Sequence, residues 1–75
     1  MLTTSIAQTH AVRFDDLRDA RSFVRAIRRR GWEARRQGNI VYVVIGMRAS
    51  LDLMVKQWAV ISGRTAAYDG YTIVE

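Results

Sequence analysis

The sequence predicts an α+β fold in which two helices cover one antiparallel sheet. Three observations predict it. Residues 17–31 and 51–63 carry apolar side chains at three- and four-residue steps, and each stretch ends at a glycine, as amphipathic helices do. Short strand-like segments stand before, between and after them. One of these, "IVYVVI" at residues 40–45, is apolar on both alternating faces, so it belongs in the middle of a sheet rather than at its edge.

In residues 10–14, His10, Val12 and Phe14 alternate with Ala11 and Arg13, the period-two pattern of a strand with one covered face. The alternation reaches back through Ile6, so residues 1–9 read as a tail or a strand extension and residues 10–75 as a single domain. Asp15 and Asp16 supply a helix N-cap at the positive end of the helix dipole. Leu17, Ala20, Val24 and Ile27 then recur on one side, widened by Phe23, as far as about Arg30. Gly31 takes the left-handed position that ends the helix.

Residues 32–37 read as a polar strand, and Gly38-Asn39 as a tight turn into residues 40–45. Ser50 is expected to cap a second helix over residues 51–62, with a core stripe of Leu51, Met54, Val55, Trp58 and Ile61. Asp69-Gly70 is a strong hairpin signal between residues 65–68 and 71–74. Either both arms are strands, giving an extra C-terminal hairpin, or only residues 71–75 join the sheet. The order strand, helix, strand, strand, helix, strand is that of a ferredoxin-like βαββαβ two-layer sandwich. Strands one and three should then be central, and the arginines of "WEARRQ" should mark an edge, where charge discourages sheet-to-sheet aggregation.

A chain of 75 residues buries only about 60% of the surface that its unfolded form exposes, so its stability margin is thin. The absence of cysteine excludes disulfides, and the single histidine argues against a metal held by His and Cys. No cofactor is expected. Residues 1–10 have neither a basic start nor an apolar core, and the longest apolar run, residues 40–47, is far below the roughly twenty residues of a spanning helix. We therefore expect a cytoplasmic protein with no membrane partner.

The catalytic signatures tested are weak. "DDLRD" at residues 15–19 has the spacing of some magnesium motifs, but capping explains its acids and no second carboxylate cluster completes a site. His10 could act as a base only with a nucleophile, and nothing ties Ser5, Ser22, Ser50 or Ser62 to it. The glycines fall singly at element ends, without a phosphate loop. Base stacking of the RNA-recognition kind would need aromatics on strands one and three, which offer only Phe14 and Tyr42. The protein is expected not to be an enzyme.

Charge is the outstanding feature. The formal net charge is +5 and the pI about 10.8, which favours nucleic acid, anionic surfaces or acidic proteins as partners. Eleven of the twelve cationic residues are arginine, a bias that codon composition alone can produce. At roughly 100° per residue, Arg18, Arg21, Arg25, Arg28 and Arg29 fall within about a third of the circumference of the first helix. Only Asp15 is placed to pair with Arg18, while Arg21 and Arg25, and Arg25 and Arg29, are like-charge pairs that disfavour folding. Arg35 and Arg36 extend this ridge on the next strand.

Two apolar surfaces are also left over. If Val41, Val43 and Ile45 face the helices, then Ile40, Tyr42 and Val44 face away, a candidate homodimer face. Leu53 and Val60 lie nearly opposite the core stripe of the second helix, as candidate exposed anchors.

The run "DLRDARSFVRAIRRRGWEA" followed by "VYVVIG", within residues 12–62, resembles the rhythm of SPOR domains, small ferredoxin-like modules that bind bacterial cell-wall glycan on the sheet. That resemblance implies a glycan-binding alternative, although the chain departs from the family in showing no export signal or membrane anchor. The residues themselves favour a small basic binding module, an inhibitor or adaptor of phage-like compactness acting on nucleic-acid-handling machinery. It would dock its arginine-rich helix on the acidic face of a protein; the alternative is nonspecific binding of nucleic-acid phosphates.

Overall fold

The alternation and stripes translate into six elements in a computed structural model, which describes residues 8–65 and 67–74: β1 (Gln8–Phe14), α1 (Leu17–Arg29), β2 (Ala34–Gln37), β3 (Ile40–Ile45), α2 (Arg48–Ile61) and β4 (Tyr71–Val74). The four strands form one antiparallel sheet in the order β2-β3-β1-β4, so β1 and β3 are central, as their apolar pattern requires. This α+β layout is compatible with the expected βαββαβ order.

The core lies between the two helices and one sheet face. Val12 and Phe14 of β1 and Val41, Val43 and Ile45 of β3 meet Ala20, Phe23, Val24 and Ile27 of α1 and Leu51, Val55, Trp58 and Ala59 of α2. Phe14, Phe23 and Trp58 pack as a cluster, with ring centroids 5.2 to 5.6 Å apart and both Trp58 contacts edge-on, the geometry that aromatic quadrupoles favour.

Both helices end by the same device. After α1, the Gly31 amide donates to Arg28 O and the Trp32 amide to Ile27 O; after α2, the Gly63 amide donates to Val60 O and the Arg64 amide to Ala59 O. These are paired Schellman closures, and the glycines adopt φ of 90° and 93°, where a side chain would be strained. The closures aim Trp32 and Arg64, the residues that follow, back over their own helices.

Several expectations need correction. α2 starts at Arg48, two residues before Ser50, and its N-cap Met47 makes no side-chain bond. Arg48 and Ala49 are good helix formers and extend the first turn instead of stopping at the serine. Ile61 is 69% exposed, so the α2 core stripe is completed by Ala59. β2 begins at Ala34, because the Trp32 amide is committed to the α1 closure. β1 begins at Gln8, within the segment read as a tail or a strand extension, so at Gln8 and Thr9 it is strand; the expected extension through Ile6, the bearing of Ser5 and the pairing of Glu75 lie outside the described residues.

Among the described residues no strand lies between α2 and β4, so of the two expectations for the C-terminal stretch the single strand is the one seen there. Tyr68 instead turns inward: its ring stacks on Tyr71 at 5.9 Å, meets Trp58 edge-on at 5.6 Å, and its hydroxyl donates to Asp19 Oδ2 at 2.6 Å. Gly70 makes this possible, since a Cβ there would sit 2.8 Å from the Tyr68 hydroxyl.

Candidate partner-binding face

The arginines of α1 point where the apolar stripe does not, because burial of Ala20, Phe23, Val24 and Ile27 against the sheet fixes the roll of the helix. Asp16 caps its N-terminus by accepting from the Arg18 amide at 2.8 Å, and that bond, followed by the Arg18 side chain, holds its carboxyl below the usual value. Arg18 pairs at 3.4 Å with Asp16, not with Asp15 as expected, and this pair is open to solvent. Arg28 is partly committed: its Nε donates to Ala34 O at 2.8 Å and ties α1 to β2.

Arg21, Arg25 and Arg29 have no carboxylate partner among the described residues, and all three are exposed. They form a crest with a depression on each side. On the β2 side, a shallow hollow of about 490 Å³ runs between the crest, Arg28 and Arg36. On the α2 side, a groove of about 460 Å³ lies between the crest and Trp58, Ile61 and Ser62, with Ala26 between the helices. The groove continues into a cavity of about 370 Å³ bounded by Ile27, Trp32, Met54 and Ile61. Arginine thus borders an apolar trough.

The strand arginines separate. Arg36 faces the helix side of β2 and joins the hollow, donating to Gly38 O at 2.9 Å. Arg35 pairs in register with Tyr42 on the opposite sheet face, so it is not part of the ridge. Successive strand residues point to opposite faces, which is the whole reason.

Ile40, Tyr42 and Val44 occupy the sheet face away from the helices, as expected, and are half-buried rather than open. Leu53 and Val60 are both more than half exposed. Val60 lines a depression with Ile61, Lys56, Gln57 and Arg30, whereas Leu53 borders none of these hollows. Sequence reasoning missed Trp32 and Ile61 as surface residues, and missed that Met54, half-buried against the core, also lines the cavity. The available signal was the composition of α2, which carries apolar residues on its outer side as well as its inner one.

Several side chains weighed for chemistry, and Asp52 beside them, have structural partners. Asp19 binds Arg64 and Tyr68, while Asp52 pairs with Lys56 at 3.6 Å and accepts from the Tyr71 hydroxyl. Burial first, and these carboxylates second, push the Tyr71 phenol up to about 12 and the Tyr68 phenol higher still. The Ser22 hydroxyl accepts from Trp58 Nε1 at 3.1 Å. His10 Nε2 is buried with no hydrogen-bond partner among the described residues. Among the described residues, no three metal-ligating side chains come together and no helix is long and apolar enough to cross a membrane.

No protein-family model, no curated protein and no solved structure matches this chain.

Proposed function

We propose that this is a small, non-enzymatic, cytoplasmic binding module of ferredoxin-like architecture that docks the arginine face of α1 on an acidic protein surface, as an inhibitor or adaptor. The architectural part rests on strand order: β3 lies between β1 and β2, and β1 between β3 and β4, which is how split βαβ units interlock. One observation carries the functional part. Arg21, Arg25 and Arg29 lie in line on the solvent side of α1, without carboxylate partners among the described residues and beside an apolar groove. Like charges four residues apart weaken a helix. The fold gains nothing from the row, and a negative partner would.

A second reading, contact with nucleic-acid phosphates, is favoured by Arg35 beside Tyr42 on the sheet face away from the helices, where a base could stack beside a guanidinium. The SPOR resemblance has no matching family model behind it. Salt dependence separates the two live readings. Five phosphates neutralised by α1 would give a log–log slope of about −4 to −5, whereas an interface with apolar anchors falls off less steeply. The test is affinity capture with the wild-type chain and Arg25→Glu, with and without nuclease. An acidic protein retained after nuclease treatment and lost with Arg25→Glu supports docking; capture that disappears with nuclease overturns it in favour of nucleic acid.

A further inference from the structure

We infer that the partner element received by this face is a short acidic amphipathic helix, seated along the seam between α1 and α2. The inference rests on the docking reading above and specifies what is docked.

Two surfaces meet at the seam, and each calls for a different side of one ligand. On α1, Arg21, Arg25 and Arg29 follow one another at four-residue steps, a rise of about 6 Å each. Carboxylates one turn apart on a partner helix repeat at the same distance, so a helix lying alongside α1 can meet all three guanidinium groups in register. On the α2 side, Ile61 is 69% exposed and Trp32 43% exposed, and with Met54 they bound the 370 Å³ cavity. A helix packed on a sheet normally turns polar residues outward, yet α2 leaves Leu53, Val60 and Ile61 there.

Composition points the same way. Arginine, tryptophan and methionine are the residues enriched at protein interfaces, and anchors there fill pockets surrounded by a rim that excludes water. Ala26, the small residue between the helices, leaves room for an apolar anchor to reach Trp58. A polyphosphate chain would satisfy the arginines but has nothing to set against Ile61 and Trp32. An acidic helix with an apolar stripe satisfies both, in the helix-in-groove mode.

The probes are synthetic peptides of about 15 residues, roughly four helical turns. One carries glutamate one turn apart beside a leucine stripe, a second is a scramble of the same composition, and polyglutamate and duplex DNA complete the set. Binding is read from tryptophan fluorescence and anisotropy near physiological salt. The ordered peptide is expected to bind about 10-fold or more tighter than the scramble, and Ile61→Asp to lose about 10-fold while Ile61→Met retains binding. Ile61 is exposed, so circular dichroism of both variants should match the wild type. Equal binding of the ordered peptide, the scramble and polyglutamate overturns the amphipathic helix and leaves acidic docking standing. Binding of duplex DNA with no acidic peptide, or no binding at all, overturns both.

Discussion

The guanidinium of Arg64 lies over the Trp58 ring, 4.6 Å from its centroid, and the same group grips Asp19. The chain therefore uses one arginine as a structural clasp, joining the end of α2 to the start of α1, while Arg21, Arg25 and Arg29 are left to solvent. Asp19 is only 14% exposed in its side chain, so losing the cation would strand a nearly buried carboxylate beside the Tyr68 hydroxyl.

Arg64→Ala should destabilise the fold by about 2 kcal/mol, chiefly from the charged hydrogen bond to Asp19 and a cation–π contact, its second bond, to the Ser62 hydroxyl, being exposed. In a domain of this size that lowers Tm by roughly 10 °C. Arg21→Ala, which removes no such contact, should stay within about 0.5 kcal/mol of the wild type. Urea unfolding of both variants decides it; equal midpoints would show that the clasp contributes nothing.

Gly70→Ala should cost about 1 to 2 kcal/mol, the usual range for overpacking. The new methyl would meet the Tyr68 hydroxyl at 2.8 Å and ring carbons at 3.0 Å, and the ring is held between Trp58 and Tyr71. Double substitution with Tyr68→Phe, which shortens the side chain at the point of collision, should lose less than the sum of the single changes. Additive losses would show that the methyl acts elsewhere.

Stability should fall in alkali because of the tyrosines. The Tyr71 phenol ionises near 10.0 in the unfolded chain and near 12 when folded, since burial and the Asp52 carboxylate both resist a phenolate. Between those values the unfolded state binds fewer protons, so stability falls as pH rises. The contribution is complete below about 10 and lost as pH passes about 12; Tyr68 extends the loss upward. Urea midpoints at rising pH should show Tyr71→Phe less stable than the wild type at neutral pH, with the gap closing in this window. A gap that stays constant would sever stability from the phenol.

The elements legible in the sequence are those whose residues answer to one local period. β3 was readable because six consecutive residues are apolar, and α1 because its stripe and its arginines occupy separate arcs. Arg35 and Arg36 mark the limit of reading by charge, because adjacent strand residues cannot share a face and their alternation separates what their charge suggests. The roll of α2 was not legible, because apolar residues surround it and nothing local decides whether Ala59 or Ile61 faces the sheet. The Arg64–Asp19 clasp joins residues 45 apart, and Tyr68 reaches Asp19 across 49. Such contacts leave no periodic trace, and they overrode the Asp69-Gly70 hairpin signal. The crest was legible as an arc of like charge, while its apolar border depended on the Schellman closure that turns Trp32 over Ile27.

Arg25→Glu should separate folding from binding more sharply than any other change. In the wild type, Arg25 stands four residues from both Arg21 and Arg29, two repulsive pairs of about 0.2 to 0.5 kcal/mol each. Glutamate converts both to attractive pairs, so the variant should be more stable by roughly 1 kcal/mol and unfold at higher urea. The same substitution puts a negative charge in the centre of the crest and should weaken an acidic partner at least 10-fold, about 1.4 kcal/mol. A chain selected only for stability would favour the glutamate. If Arg25→Glu leaves binding intact while raising stability, the crest is a solvated face and the partner lies elsewhere; if it lowers stability, the arginines are held by contacts within the fold and are not free to dock.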